Sequence, residues 1–263
     1  MKTVPDRCLA AVVTCALLTA TAVPAAEIKV VTSGAFTAAY LKLVPEYERA
    51  THDKLVTEFG PSMGTTHNAI PLRLERGETI DVVIMAGPAL ADLINQGKVR
   101  AGSHVDLVKS LIGLAVKAGA PKPDISTVEA LKRTLLAAKS IAYSDSASGV
   151  YLSTELFPKL GIADQIQGKS RKIEADPVGE AVARGEIEIG FQQISELRPV
   201  KGIEIVGPLP PGAQRVTVFA AGIPATSKHP AEAKALFDWL ASPAAYAAIK
   251  ESGLDPAGLQ TSR

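Results

Sequence analysis

The sequence predicts an α/β fold built from two lobes, with a ligand cleft between them. Strands and helices alternate along residues 27–108 and are joined by short loops rich in Gly, Pro and Ser, a pattern typical of parallel sheets covered by helices. The segment GAPKPD then breaks the pattern, and a second alternating series follows it. Because small molecules often bind at the boundary between such units, we expect the site there.

The first series opens with the β-branched strand EIKVVTS and a helix whose apolar face begins at Phe36 and Tyr40. The strand KLVTEF, the loop GPSMGTTH and the helix NAIPLRLERGE come next. The strand DVVIMAG leads into the helix PALADLINQGKV, where Pro88 occupies a favoured position in the first turn. The apolar run Leu107–Val116 reads as one strand that ends the series.

The second series starts with the helix TVEALKRTLLAAK and the strand SIAYS, followed by the loop DSASG and the helix VYLSTELFPKL. The strands RKIEA and IEIGFQQ flank the helix DPVGEAVARGE. The segment GIEIVGPLPPGAQ reads as a linker, RVTVFAAGIPA as a strand, and AEAKALFDWLASPAAYAAIKESG as one or two closing helices. We therefore assign residues 26–108 and 206–263 to lobe 1 and residues 109–205 to lobe 2.

The N-terminal segment, residues 1–25, has the order of a secretory signal peptide. Lys2 and Arg7 are followed by the uncharged run Leu9–Val23 and then by small residues. The run is shorter than the ~20 residues that a membrane-spanning helix needs, so a membrane anchor is the less favoured alternative. Cleavage after Ala25, or one residue later, would release the protein into the periplasm.

Charge and cysteine content exclude several kinds of partner and site. The chain has 28 lysines and arginines and 27 aspartates and glutamates, and removal of the signal peptide leaves 26 of each. A neutral protein has no field that would attract nucleic acid or an anionic membrane, so neither is expected as a partner. Both cysteines, Cys8 and Cys15, lie in the signal peptide, and the histidines lack metal-ligand spacing, so no metal site is predicted.

Four loops between a strand and the following helix carry hydroxyl groups and glycines. In parallel α/β folds ligands bind at the carboxyl ends of strands, where helix N-termini present free N–H groups. Each loop alone is also an ordinary helix cap, and only the four together indicate a site for a small anion. These loops supply Ser33 and Gly34; Ser62, Met63, Gly64 and His67; Ser144, Ser146, Ser148 and Gly149; and Asp176, Val178 and Gly179.

The order of these motifs resembles that of the molybdate-binding family of periplasmic solute-binding proteins, over nearly the whole chain after the signal peptide. The resemblance implies the two-lobed type II fold of that family, with an oxyanion held between the lobes by hydroxyls and backbone amides. It also implies which residues hold the ligand. The family's binding positions fall on Ser33, Ser62, Ser148, Val178 and Gln193.

Gln193 departs from the family's pattern, because the family carries a tyrosine there. A carboxamide both donates and accepts, which suits a ligand larger and more varied in its hydrogen bonding than a tetrahedral oxyanion. The neighbouring Gln192 points to the other face of an alternating strand, and we interpret it as structural.

A narrower resemblance is to the bacterial aconitate isomerases, periplasmic enzymes that interconvert trans- and cis-aconitate. The segments GPSMGTTHNAIPLRL, IAYSDSASGVYLS and DPVGEAVARGEIEIGFQQISEL carry it. The resemblance implies a small organic polycarboxylate as ligand and an allylic proton shift, which requires a proton carrier and donors that stabilise a dienolate. No metal or organic cofactor is required.

The candidates for the proton carrier are His67 first, then Tyr143, then Asp145. Arg73 either pairs with a ligand carboxylate or is a solvated helix residue, and the second interpretation is favoured. The alternative function is that of a transporter's substrate-binding protein for molybdate or a small carboxylate anion, and only this alternative requires an ABC permease as a partner.

Overall fold

A computed structural model describes residues 25–174 and 176–258 of the chain. Apart from Ala25, the predicted signal peptide, with both cysteines, lies outside the described residues. The described strands form two sheets and are β1 (Glu27–Thr32), β2 (Lys54–Phe59), β3 (Val82–Ala86), β4 (Val105–Ser110), β5 (Ile112–Lys117), β6 (Ile141–Ser144), β7 (Ser170–Ile173), β8 (Ile189–Gln193), β9 (Ile203–Pro208), β10 (Thr217–Gly222) and β11 (Asp255–Pro256).

Helices flank both sheets. A π-helical turn, Leu152–Leu156, joins two of them into one longer helical segment. The α-helices are α1 (Gly34–Thr51), α2 (Ile70–Glu75), α3 (Gly87–Asn95), α4 (Val128–Ala137), α5 (Ala147–Tyr151), α6 (Phe157–Lys159), α7 (Ala163–Ile166), α8 (Val178–Arg184), α9 (Ile194–Leu197), α10 (Pro230–Leu240) and α11 (Tyr246–Glu251).

Both sheets are mixed rather than wholly parallel. The larger has the order β11-β4-β10-β3-β1-β2 and the smaller β7-β6-β8-β5-β9. In the larger, β1 is parallel to β2 and β3, while β10 runs antiparallel to β3 and β4. In the smaller, β6 is parallel to β7 and β8, while β5 runs antiparallel to β8 and β9. Parallel neighbours require a crossover connection, usually a helix. The chain enters β5 and β10 from the other sheet without such a crossover, so these two strands can run antiparallel to their neighbours.

Two predicted elements are wrong at the junction between the sheets. The run Leu107–Val116 is not one strand, since β4 pairs with β10 in one sheet and β5 pairs with β8 and β9 in the other. The predicted linker contains a strand, Ile203–Pro208, which pairs with β5 at the edge of the smaller sheet. An edge position tolerates the Gly207 and Pro208 that suggested a linker.

The central strands of the larger sheet are buried on both faces. Val30 and Ile84 pack in a core with α1 and α10, whereas Val31 and Met85 pack on the opposite face with α2 and α3. Burial on both faces explains why β3, VVIMA, reads as a continuous apolar run. The smaller sheet likewise has separate cores on its two faces. Within the described residues, no helix combines the length and apolar composition needed to cross a membrane.

The topology brings loops of both sheets to one place. Since β6 and β8 are parallel neighbours, their carboxyl ends lie at the same edge, where α5 and α9 begin. At the carboxyl end of β1 in the larger sheet, Ser33 precedes α1, and α1 packs against α9. The cleft therefore opens between the start of α1 and the loops of the smaller sheet.

Candidate active site

A cleft of about 400 Å³ lies between loops of the two sheets. Its first wall is the start of α1 and the two ends of the loop after β2, and the lining residues there are Gly34, Thr37, Ala38, Leu41, Phe59, Gly60, Pro61 and Asn68. The opposite wall comes from the smaller sheet, through the end of β6, the turn before α8, the end of β8 and α9. The cleft is large enough for a small organic ligand.

A second pocket, of about 10 Å³, adjoins the cleft. Its lining includes Ser33, Ser148 and Gln193, three of the residues predicted to hold a ligand. It has room for about one water-sized group. Gly34, Ser146 and Glu196 line both the small pocket and the cleft, so the two spaces meet at these residues.

Four buried polar atoms at these pockets have no hydrogen-bond partner among the described residues. They are the side-chain oxygens Ser33 Oγ, Asp145 Oδ2, Gln193 Oε1 and Ser195 Oγ. An unpaired buried polar atom costs free energy, and most such atoms in folded proteins have a partner. Asp145 and Ser195 line the cleft and Ser33 and Gln193 the small pocket, so these atoms are candidates for hydrogen bonds to a bound ligand.

Ser33 owes its free hydroxyl to its position at the start of α1. Its backbone is extended, its N–H donates to the carbonyl of Ile84 at 2.8 Å, and its side chain makes no cap hydrogen bond. The Thr37 hydroxyl donates to the Ser33 carbonyl at 3.2 Å. The unpaired N–H groups of the first turn of α1, an 18-residue helix, lie at the same helix end as the Ser33 hydroxyl. They favour negative charge at that end.

The loop after β6 is tightly folded. The hydroxyls of Ser144 and Ser148 lie 3.0 Å apart and share a hydrogen bond. A β carbon on Gly149 would lie 1.7 Å from the Ser144 carbonyl oxygen, so only glycine allows α5 to start so close to the strand. Gly149 thus shapes the loop, while Ser148 lines the small pocket.

Gln192 lines the cleft, and both ends of its amide are bonded within the protein, so its structural role stays a prediction. Its Oε1 accepts from the backbone N–H of Val178 at 2.9 Å, and its Nε2 donates to Glu196 Oε1 at 3.1 Å. The N–H of Val178 fixes which end of the amide is the oxygen, and therefore which end faces Glu196. Val178 itself is buried in the core and contributes through this hydrogen bond.

Gln193 lines the small pocket and is almost fully buried. Its Nε2 donates to the hydroxyl of Thr217 at 3.4 Å, a long and weak bond. Its Oε1 accepts no hydrogen bond from the described residues, so the amide makes fewer hydrogen bonds than it can.

Glu196 is a site residue that sequence reasoning missed, although it stands three residues after the two glutamines. Burial raises the pKa of its carboxyl to about 7, against the smaller opposing effect of hydrogen bonds from Gln192 and the Gln193 backbone, and the Asp145 charge adds to the rise. Burial also raises the pKa of Asp145. The sequence did contain a signal for this residue, because Glu196 is a carboxyl group in the first helical turn after the end of β8.

Two of the three predicted proton carriers do not line either pocket. His67 is exposed, and its carbonyl accepts from Arg76 Nη2 at 2.8 Å. Tyr143 is half-buried and packs edge-on against Phe157, with ring centroids 5.9 Å apart. Asp145 does line the cleft.

The loop after β2 contributes less directly than predicted. Ser62 is buried, and its hydroxyl accepts from the N–H of Ala86 at 2.9 Å, which ties the loop to the end of β3. Met63 packs against the core. Gly64 has a φ of 102°, and a β carbon there would lie 3.2 Å from the Asp145 carbonyl oxygen, so this loop reaches across to the other sheet.

Arg73 is a structural residue rather than a ligand contact or a solvated one. It is buried and forms ion pairs with Glu58 and Glu78. No lysine, arginine or histidine is among the described residues that line the cleft or the small pocket. The arrangement suits a ligand held by neutral donors, helix N–H groups and carboxyls that accept or release a proton.

Comparison with known proteins identifies close relatives. The model of a family described as bacterial extracellular solute-binding protein matches residues 28–255. An aconitate isomerase of a Pseudomonas species is 49% identical over 237 residues, which cover 90% of this chain and 90% of that protein. The molybdate-binding protein of Azotobacter vinelandii is 29% identical over 248 residues, which cover 90% of this chain and 92% of that protein.

Solved structures share the fold at lower identity. The periplasmic molybdate-binding protein of Azotobacter vinelandii superposes with a TM-score of 0.68 at 23% identity, covering 86% of this chain and 98% of that one. The sulfate-binding protein SubI of Mycobacterium tuberculosis gives a TM-score of 0.69 at 17% identity, covering 88% and 87%. The predicted fold class, a two-lobed solute-binding fold, is confirmed.

Proposed function

The chain belongs to the bacterial extracellular solute-binding proteins, and we propose that it is an isomerase that interconverts trans- and cis-aconitate in the interlobe cleft. The observation that carries this proposal is the 49% identity, over 90% of the chain, to an aconitate isomerase. The site must then bind a tricarboxylate and move a proton between two of its carbons.

The size of the site favours an organic ligand over a tetrahedral oxyanion. The small pocket, with Ser33, Ser148 and Gln193, has room for about one oxygen of a carboxylate. The adjoining cleft of about 400 Å³ takes the rest of the molecule. A tetrahedral oxyanion would leave most of this space filled with water.

The unpaired groups suit an isomerisation that passes through a dienolate. When a methylene proton leaves, negative charge spreads onto a terminal carboxylate, and donors placed there in advance stabilise it. The Ser33 and Ser195 hydroxyls and the N–H groups at the start of α1 can donate in this way. None of them needs a metal or a cationic side chain to act.

We further propose a periplasmic location and a division into two lobes, one around each sheet. The family and the predicted signal peptide support the location. The pairing of β4 and β5 with different sheets supports a first boundary close to the predicted one between residues 108 and 109. The predicted boundary between residues 205 and 206 falls inside β9, which belongs to the smaller sheet, so the second boundary is proposed between residues 209 and 216.

Non-catalytic transport of a small anion is the second candidate, because the fold is shared with molybdate- and sulfate-binding proteins. The test is to incubate a catalytic amount of residues 26–263 with trans-aconitate and to follow cis-aconitate by chromatography. Calorimetric titrations with trans-aconitate and with molybdate run in parallel. Conversion beyond one equivalent supports the isomerase, whereas tight molybdate binding without conversion would establish the transport function instead.

A further inference from the structure

Glu196 occupies the junction between the cleft and the small pocket. It is the one carboxyl group among the described residues that lines both spaces. A ligand with one carboxylate in the small pocket and the remainder in the cleft would therefore pass directly over it.

The Glu196 carboxylate is held in one place by neighbours on two sides. Gln192 Nε2 donates to its Oε1 at 3.1 Å, and that amide is itself fixed by the Val178 N–H. On the other side, Gly34 leaves the space that Oε1 occupies, since a β carbon there would lie 1.9 Å from it. Glu196 is thus held by a neutral amide and by the space at Gly34, and it forms no ion pair with any residue that the structure describes.

The charged groups around Glu196 are acidic. Asp145 faces it from the loop after β6, and Asp176 lines the same cleft from the turn before α8. No basic side chain lines either pocket among the described residues. Burial and the Asp145 charge together bring the pKa of Glu196 to about 7, where a general acid or base changes state most readily near neutral pH.

We propose that Glu196 is the proton carrier of the isomerisation, an assignment that rests on the proposed function. As a carboxylate it takes a proton from the methylene carbon of aconitate, and the C–H electron pair becomes the new C=C bond. The former π pair then forms a C–H bond at the other terminal carbon, to which Glu196 returns a proton. One C–H bond breaks, one forms, and no oxidation or co-reactant is involved.

Among the earlier candidates only Asp145 competes with this assignment. His67 and Tyr143 do not line either pocket, whereas Asp145 lines the cleft but not the small pocket. Asp145 therefore lies at one of the two spaces rather than at their junction. The negative charge of Asp145 disfavours ionisation of Glu196. Asp145 therefore acts through Glu196, by raising its pKa, rather than by transferring the proton itself.

The test is the Glu196→Gln variant, which keeps the shape of the side chain and its bond to Gln192. We expect kcat to fall at least about 100-fold, the contribution typical of general acid–base catalysis, while the Kd for trans-aconitate in calorimetry stays within about threefold. Glu46→Gln, on the exposed side of α1, is the matched control and should behave as wild type. Glu196→Asp should retain part of the activity.

The wild-type pH profile gives an independent readout. Because the carboxylate form begins the reaction, kcat/KM should fall as the pH drops below about 7, and this limb should be absent from any residual activity of Glu196→Gln. A Glu196→Gln variant with kcat within fivefold of wild type would overturn the assignment while leaving the isomerase function intact. If Glu196→Gln does not fold, an unchanged kcat in Glu196→Asp and a flat wild-type profile would overturn it. An inactive wild-type protein would instead refute the proposed function.

Discussion

Gly34 shows how a residue without a side chain contributes to a site. A β carbon there would lie 1.9 Å from Glu196 Oε1, at the end of a flexible side chain that can swing away. We expect Gly34→Ala to fold normally, because no backbone has to move, and to lower kcat at least about tenfold, because the carboxylate leaves its position.

The control for Gly34→Ala is Gly168→Ala, where a β carbon meets nothing within 4 Å. Kinetics and thermal melts of both variants provide the measurement. Equal kcat in the two variants would show that the position of the Glu196 carboxylate does not matter for turnover.

Gln193 is the position where the resemblance to molybdate-binding proteins implies a departure from their pattern. Gln193 Nε2 has two N–H groups and only one long bond, to Thr217, so its second N–H can donate to a ligand carboxylate. Gln193→Ala should therefore weaken trans-aconitate binding at least about tenfold, since one charge-assisted hydrogen bond contributes roughly 1.5–3 kcal/mol. Isothermal titration of this variant and of the exposed Gln165→Ala gives the comparison. Unchanged affinity would reduce Gln193 to a core amide bonded to Thr217.

At the scale of elements, the start of α5 depends on its close approach to the end of β6. A β carbon on Gly149 would lie 1.7 Å from the Ser144 carbonyl oxygen, and backbone cannot yield as a side chain does. Gly149→Ala should therefore lower the free energy of unfolding by about 3 kcal/mol and abolish aconitate binding. Urea unfolding measures the first effect, and wild-type stability would contradict the tight packing described here.

Much of the element order was predictable, because the apolar periods of β1, α1, β3 and α3 agree with burial on one or both faces. The change from one sheet to the other at Leu111 was not predictable. Both β4 and β5 contain buried apolar residues, and hydropathy alone does not show that they belong to different sheets. Strand β9 was missed because the Gly and Pro residues that an edge strand tolerates also mark linkers. Glu196 was missed because its raised pKa and its contacts with Gln192 and Gly34 exist only in the folded chain.

At the scale of the whole molecule, the two sheets are held in relation by the segments that cross between them. Gln214, on the return from β9 to β10, accepts from the Ile112 N–H at 3.0 Å and donates to the Ile112 carbonyl at 2.9 Å. This paired bond ties the second crossing to the first.

Asp81 links distant parts of the chain and makes stability depend on pH. Burial alone would raise the pKa of its carboxyl, but hydrogen bonds from the N–H groups of Lys29, Lys228 and His229 and from the Ser227 hydroxyl hold the pKa below its usual value. Such a group stabilises the fold fully above its unfolded pKa of about 3.9, and the stabilisation is lost as the pH falls through the lower folded value.

Asp81→Asn should therefore lower the free energy of unfolding by about 2 kcal/mol at pH 7, as expected for hydrogen bonds to a charged group. The difference from wild type should shrink in acid, below pH ~4. Denaturant titrations across this range are the measurement, with the exposed Asp92→Asn as control. A difference that stays constant with pH would show that the ionised form of Asp81 contributes nothing.

The isomerase function is tested most directly by proton NMR of trans-aconitate in large molar excess over residues 26–263. We predict that the vinyl and methylene signals of cis-aconitate grow until the two isomers reach equilibrium, over many turnovers per protein molecule. A spectrum in which trans-aconitate remains unchanged, or shows only one bound equivalent, would contradict catalysis in the cleft.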